Sequence, residues 1–308
     1  MKILYVYNFT YPDYQSDTVY HGLVDSGFEV YESHYPQYMI FGYDFKKENV
    51  YKDLSRSIYG GMLGTAFTLY GKLNYTPRVE SSSVINDKIR SKFYDYIIYG
   101  CVYTHEGMLR RQCLDYFDEV IKYYPKDKIH FIDGSDNSWN FAHSSGISPY
   151  GTVWKSELEN IGAANPICFG IPESQLIQEN PIKEKVFADI IPGRKETYVY
   201  SDEESYYKDY AISHYGITWK KGQWNCMRHL EILANKCIPY FPDIVDCPPF
   251  VMVDFPKEIF REINKYARRG EIHPEYNSIN EYLFTYLKNN LTTKQNLAKL
   301  VVKKIINY

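Results

Sequence analysis

The chain reads as an α/β protein of two Rossmann-like halves facing each other across a cleft. Three observations predict this. Its 308 residues are enough for two domains at the usual ~100–200 residues each. Nearly continuous apolar runs of strand length recur in both halves, with helical spacing between them, as buried parallel strands require. Glycine and charged residues gather just past the ends of those runs, where open α/β sheets place ligands.

Ile3 to Tyr7 is the first such run. A polar loop follows, and Ser16-Asp17-Thr18 offers a cap for a helix ending near Gly27. Phe28 to Tyr31 is the second strand, which makes a βαβ unit of about thirty residues. No G-x-G-x-x-G follows the first strand, which counts against a dinucleotide site there. Ile58 to Phe67 mixes glycine with apolar residues and reads as a packed connection rather than a lid over an acceptor. Asp87 to Phe93 reads as a helix feeding a third strand, Tyr96 to Tyr99. Met108 to Tyr124 has helical spacing through Leu109, Leu114, Phe117, Val120 and Ile121. Lys128 to Ile132 is a fourth strand, ending in Asp133-Gly-Ser-Asp136. Two carboxylates at a strand's carboxyl end are candidate acid–base groups, and an Asx-rich turn explains them equally well. His143 and the Ser144-Ser145-Gly146 loop are placed to line the same cleft. Ala164 to Phe169 is the last strand of this half, and Gly170-Ile-Pro172 breaks away from it. The expected division is 1–169, 170–290 and a C-terminal helix in 291–308.

In the second half, Lys185 to Ile191 is a buried-strand run leading into Pro192-Gly193-Arg194-Lys195. That turn is either a phosphate cradle or a basic surface turn. Ser201 to Glu204 is a capping box, S-x-x-E. Tyr215 to Trp219 and Cys237 to Phe241 are strands, and helices are expected over 256–268 and 279–289. Past Glu281 there is no acid but five lysines. Leu297, Leu300, Val301 and Ile305 share one face there, the pattern of a docked terminal helix with a solvated basic side, or of a weak contact with an anionic membrane surface.

Composition excludes several classes. A net charge of −3 argues against a chain built around neutralising nucleic-acid phosphates. The six cysteines form no C-x-x-C pair, so zinc and thioredoxin-like readings are weak, and a reducing cytoplasm is the simplest setting. No stretch approaches the ~18 apolar residues of a membrane span, and the N-terminal run is too short for a signal peptide. Thirty-three tyrosines point either to compositional drift or to sugar-stacking surfaces, and composition does not separate the two.

The stretch Lys220 to Pro242 carries the most chemistry. Two lysines, a glycine and a tryptophan precede Asn225, which is expected to cap a helix over 226–235. Arg228 lies in the first turn and Glu231 one turn later on the same face. An ordinary ion pair there would be worth only a few tenths of a kcal/mol. A helix N-terminus with an arginine suits a phosphate, and a carboxylate one turn along suits a ribose diol.

The run from Asn225 through Arg228 and Glu231 to Pro239 resembles the donor-site motif of GT-B glycosyltransferases, closest to the group similar to the CgeB spore-maturation proteins. Phe241-Pro-Asp, the DGSD loop and Phe169-Gly-Ile-Pro also look similar. The motif-level likeness covers residues 185 to 260, and the first half matches only in its α/β plan. The resemblance implies a GT-B fold with the C-terminal helix packed back on the N-terminal domain. It implies a hexosyltransferase of polysaccharide biosynthesis that uses a UDP-, GDP- or ADP-sugar without a metal or other cofactor. Glu231 would hold the ribose, Asn225 and the following N–H groups the diphosphate, with Arg228 adding charge. Arg194 and Lys195 would stabilise the leaving diphosphate. Many retaining members carry a second glutamate ahead of this one, and Gln223 stands in its place, so a sugar-binding role and a retaining mechanism do not follow. An inverting enzyme needs a base from the first half, and Asp17, His21, Asp133 and Asp136 are the candidates, with the DGSD pair first. The implied acceptor is a glycan or lipid-linked sugar, reached in the cytoplasm or at the inner membrane face, with no stable nucleic-acid partner. The alternatives are a GT-B-fold sugar-nucleotide epimerase, a nucleic-acid glycosyltransferase, and a degenerate domain acting as a binding module.

Overall fold

The computed structural model describes residues 1–9, 12–43, 68–103, 109, 111–138, 146–160, 162, 164–200 and 202–301. The expected glycine-bearing connection over 58–67, the start of the helix at Met108, and His143 with its serine loop lie outside the described residues.

The first half is a six-stranded, all-parallel sheet in the order β2-β1-β3-β4-β5-β6. Its strands are β1 (Lys2–Val6), β2 (Glu29–Glu32), β3 (Tyr96–Tyr99), β4 (Ile129–Asp133), β5 (Thr152–Lys155) and β6 (Ala164–Pro166). Ile3 pairs with Val30 on one side and Tyr96 on the other, so β1 is central and fully covered. Strands β1, β3 and β4 read as continuous apolar runs for that reason. Helix α1 (Tyr14–Asp25) crosses between β1 and β2. Its cap is Asp13, whose side chain accepts from the Ser16 N–H, and not the expected Ser16-Asp17-Thr18. Helix α2 (Ser82–Arg90) starts earlier than expected. The helix foreseen over 108–124 is only α3 (Phe117–Tyr123), because Tyr116 sits at φ 63 and breaks the run. Strand β5 is too short to show as an apolar run, and the sequence did not reveal it.

The second sheet is also parallel, β7 (Lys185–Phe187), β8 (Ser213–Ile217) and β9 (Ile238–Tyr240). Helix α4 (Glu203–Ala211) precedes β8, and α5 (Met227–Ala234) connects β8 to β9. Asp202 caps α4 through the Ser205 N–H; Ser201 of the supposed capping box lies outside the described residues. Helices α6 (Lys257–Ala267) and α7 (Tyr276–Asn290) follow.

Helix α8 (Thr293–Val301) returns to α1. A Cβ on Gly22 would sit 2.3 Å from the Thr293 carbonyl oxygen, so the two backbones touch where only glycine fits. Asn296 Nδ2 donates to the Cys168 carbonyl at 2.7 Å, and Lys294 lies 3.4 Å from Asp25 and 3.6 Å from Glu173. Leu297 and Leu300 are buried in this contact.

Much of the tyrosine is core. Tyr5, Tyr20, Tyr38, Tyr99, Tyr103, Tyr206, Tyr210 and Tyr215 are among the largest fully buried side chains. Several hydroxyls are satisfied inside: Tyr5 donates to the Ser16 carbonyl at 2.8 Å and Tyr20 to Glu32 at 2.9 Å. All six cysteines are unbonded thiols. Among the described residues, no helix is long and apolar enough to cross a membrane.

Candidate functional site

The loop between β8 and α5 is held from beneath by His229. A carbonyl can only accept, so His229 Nε2–H donates to the Trp224 carbonyl at 2.8 Å, and Nδ1 accepts from Thr218 Oγ1 at 3.0 Å. Burial pushes its pKa down to about 4, and the neutral ring packs tilted against Phe241, centres 4.6 Å apart. Lys220 is drawn over Trp224, and its N–H donates to Asp243 at 2.9 Å.

Asn225 does not cap α5; Cys226 holds that position without a side-chain bond. Asn225 is buried and spent on the first half. Its N–H donates to Glu157 Oε1 at 2.8 Å, Nδ2 donates to the Ser156 carbonyl at 3.3 Å, and Oδ1 accepts from the Phe169 N–H at 3.5 Å. The residue expected to meet a diphosphate instead ties the two halves together.

Arg228 and Glu231 depart from a solvated ion pair in both respects. Arg228 is 7% exposed and Glu231 0%. Among the described residues Arg228 Nε has no hydrogen-bond partner, and the guanidinium lies 5.8 Å from the centre of the Tyr198 ring. Glu231 is held by neutral donors, Tyr206 at 2.7 Å and Thr68, whose Oγ1 also lies 2.5 Å from the Tyr207 hydroxyl. Burial raises the Glu231 pKa, against the pull of those hydrogen bonds and of Arg228. A buried guanidinium is costly without an anion. This one reaches the surface near the start of α5, where an anion would find it.

The carboxyl edge of the six-stranded sheet meets this loop. Gln223 Nε2 donates to Asp136, and a Cβ on Gly222 would lie 3.3 Å from the same carboxylate. Asp133, the other half of DGSD, is 1% exposed and committed. Lys155 Nζ lies 3.2 Å from its Oδ2, and the Ser135 N–H and hydroxyl donate to Oδ1 at 3.0 and 2.6 Å. Burial raises its pKa, with Lys155 and Ser135 opposing. Asp133 therefore shapes the loop, and Asp136 is the carboxylate that reaches across. Asp17 is buried among Tyr38 and Tyr70, whose hydroxyls donate to it at 3.0 Å each, and burial raises its pKa well above the usual carboxylate range. His21 faces α8, 3.5 Å from Thr293 Oγ1, with its pKa lowered by burial to about 4. It is packed between helices and away from the loops that carry Asp136 and Gln223. Glu157, past the end of β5, is 2% exposed and accepts from the Asn225 N–H, with its pKa raised by burial to about 7.

Arg194 and Lys195 are exposed on the turn after β7. On the same turn the half-buried Tyr198 accepts through its oxygen from the Gly193 N–H at 2.9 Å. Sequence reasoning missed Tyr198, Thr68, Lys155 and Glu157. The last two follow from the unseen strand β5, and nothing in the sequence marks the first two. Among the described residues, no three His, Cys, Asp or Glu side chains gather as a metal-binding group. A shallow hollow of about 470 Å³ lies at the start of β5 around Lys126, Thr152 and Asn165, on the opposite sheet edge from these residues. The chain matches no protein-family model and no curated protein sequence.

Proposed function

We propose that the protein is a glycosyltransferase of GT-B type that takes a sugar from a nucleoside diphosphate. The observation that carries this reading is Arg228, a buried cation whose Nε has no hydrogen-bond partner among the described residues, one helical turn from the buried carboxylate Glu231. A nucleotide offers a group to each: a diphosphate to the guanidinium, and a ribose diol to the carboxylate in place of the Thr68 hydroxyl. For the sugar to leave, negative charge must develop on the diphosphate, and a fixed, water-shielded cation stabilises it. Asp136, at the carboxyl edge of the first sheet and in contact with Gln223, is the residue we assign as acid–base partner of the acceptor. The Thr68 hydroxyl donates to Glu231 Oε1, the oxygen not taken by Tyr206, so a ribose hydroxyl on that oxygen replaces the Thr68 hydroxyl.

The test is hydrolysis or transfer with a panel of UDP-, GDP- and ADP-sugars, run beside Glu231→Ala and Asp136→Asn. Turnover of one donor that falls by about 10²-fold or more in Asp136→Asn supports the assignment. Full activity in Glu231→Ala contradicts the ribose role. A new sugar nucleotide formed without acceptor would identify an epimerase, and nucleotide binding without turnover of any donor a binding module.

A further inference from the structure

We propose that Gly193 and Arg228 form a phosphate seat in which the phenolic oxygen of Tyr198 stands and which it yields to a diphosphate oxygen. The Gly193 N–H donates to that oxygen at 2.9 Å. Gly193 has φ +82, and among the described residues no atom lies within 4 Å of where its Cβ would be. The Arg228 guanidinium lies 5.8 Å from the Tyr198 ring centre, 7% exposed, with Nε unpartnered among the described residues. Burial alone would raise the phenol's pKa, yet Arg228, the Gly193 N–H and the Lys221 side chain together hold it below the usual 10. A backbone donor on the phenolic oxygen and a guanidinium beside the ring thus meet at one side chain. That is the environment a phosphate oxygen needs, and a neutral phenol fills it poorly. Tyr198 is then a positioning residue: it keeps the donors in place and competes weakly with the ligand.

The inference rests on the nucleotide reading of the same cleft, and its test separates the two. Inorganic pyrophosphate, UDP and GDP are titrated by calorimetry into wild type, Tyr198→Phe and Arg228→Met. Tyr198→Phe keeps the ring and removes the competing oxygen, so pyrophosphate binds about two- to tenfold tighter, the worth of one neutral hydrogen bond. Arg228→Met weakens it roughly ten- to a hundredfold. The lowered pKa of Tyr198 adds a tyrosinate signal that appears earlier on raising the pH in wild type than in Tyr198→Phe, and pyrophosphate reduces that signal as the displaced phenolate takes up a proton. Unchanged or weaker pyrophosphate binding in Tyr198→Phe overturns the seat, whatever the nucleotides do, and that variant decides the matter even if Arg228→Met fails to fold. Expected pyrophosphate behaviour with UDP and GDP bound no tighter than pyrophosphate keeps the seat and overturns the nucleotide reading.

Discussion

Replacing Glu157 with glutamine should make the protein more stable at alkaline pH and leave it nearly unchanged in acid. Glu157 is 2% exposed and accepts the Asn225 N–H across the contact between the two halves. Burial raises its pKa from 4.5 to about 7, and the N–H groups of Asn225 and Trp224 with the charges of Lys155 and Lys220 offset only part of that. The folded state therefore holds this proton more tightly than the unfolded chain. Between pH 4.5 and about 7 the folded protein binds more protons, so this group's contribution to stability falls as pH rises through that window. Above it, a gap of about 2.5 pKa units amounts to ~3 kcal/mol against folding, to order of magnitude. Glutamine removes the charge and keeps an oxygen for the Asn225 N–H. Urea unfolding at a pH of about 8 should show Glu157→Gln more stable by ~2–3 kcal/mol, shrinking to under ~1 kcal/mol at a pH of about 4.5. An equal difference at both pH values would refute the reasoning.

Three further outcomes follow from the same packing. Lys155→Met leaves Asp133 buried without its cation and should cost about 3–5 kcal/mol, and adding Asp133→Asn should recover much of that in denaturant unfolding. Gly22→Ala places a methyl 2.3 Å from the Thr293 carbonyl and should push α8 from α1, at a cost of about 1–3 kcal/mol and with faster amide exchange in α8. Thr68→Val removes one donor from Glu231 and should cost about 1 kcal/mol of stability while tightening nucleoside diphosphate binding in calorimetry; weaker binding would count against the ribose role of Glu231.

The strands most plainly legible in the sequence are those buried on both faces; the run expected to be buried over Lys185 to Ile191 is only the half-buried strand Lys185–Phe187. Ile3, Leu4 and Val6, or Tyr96 to Tyr99, leave no polar break, and the runs announce themselves. Strand β5 has only Val153 and Trp154 between Thr152 and Lys155, and a pattern that short carries no period. Missing it hid Lys155 and Glu157, and with them the reason Asp133 is unavailable. Arg228 and Glu231 were identifiable as a pair one turn apart, but spacing does not reveal burial. Only the fold shows that Tyr206 and Thr68 serve Glu231 while Arg228 Nε has no hydrogen-bond partner among the described residues. Asn225 was misread because a cap residue and an inter-half tie look alike in sequence; the Glu157 contact lies 68 residues away.

The central claim is that the start of α5 binds a nucleoside diphosphate through Arg228 and Glu231. The most direct measurement is calorimetric titration of UDP, GDP and ADP, beside their nucleosides, into wild type and Glu231→Gln. The account predicts that at least one nucleoside diphosphate binds wild type, that its nucleoside binds far more weakly, and that Glu231→Gln weakens binding about tenfold or more. Absence of binding by all three, or equal affinity in Glu231→Gln, would contradict it.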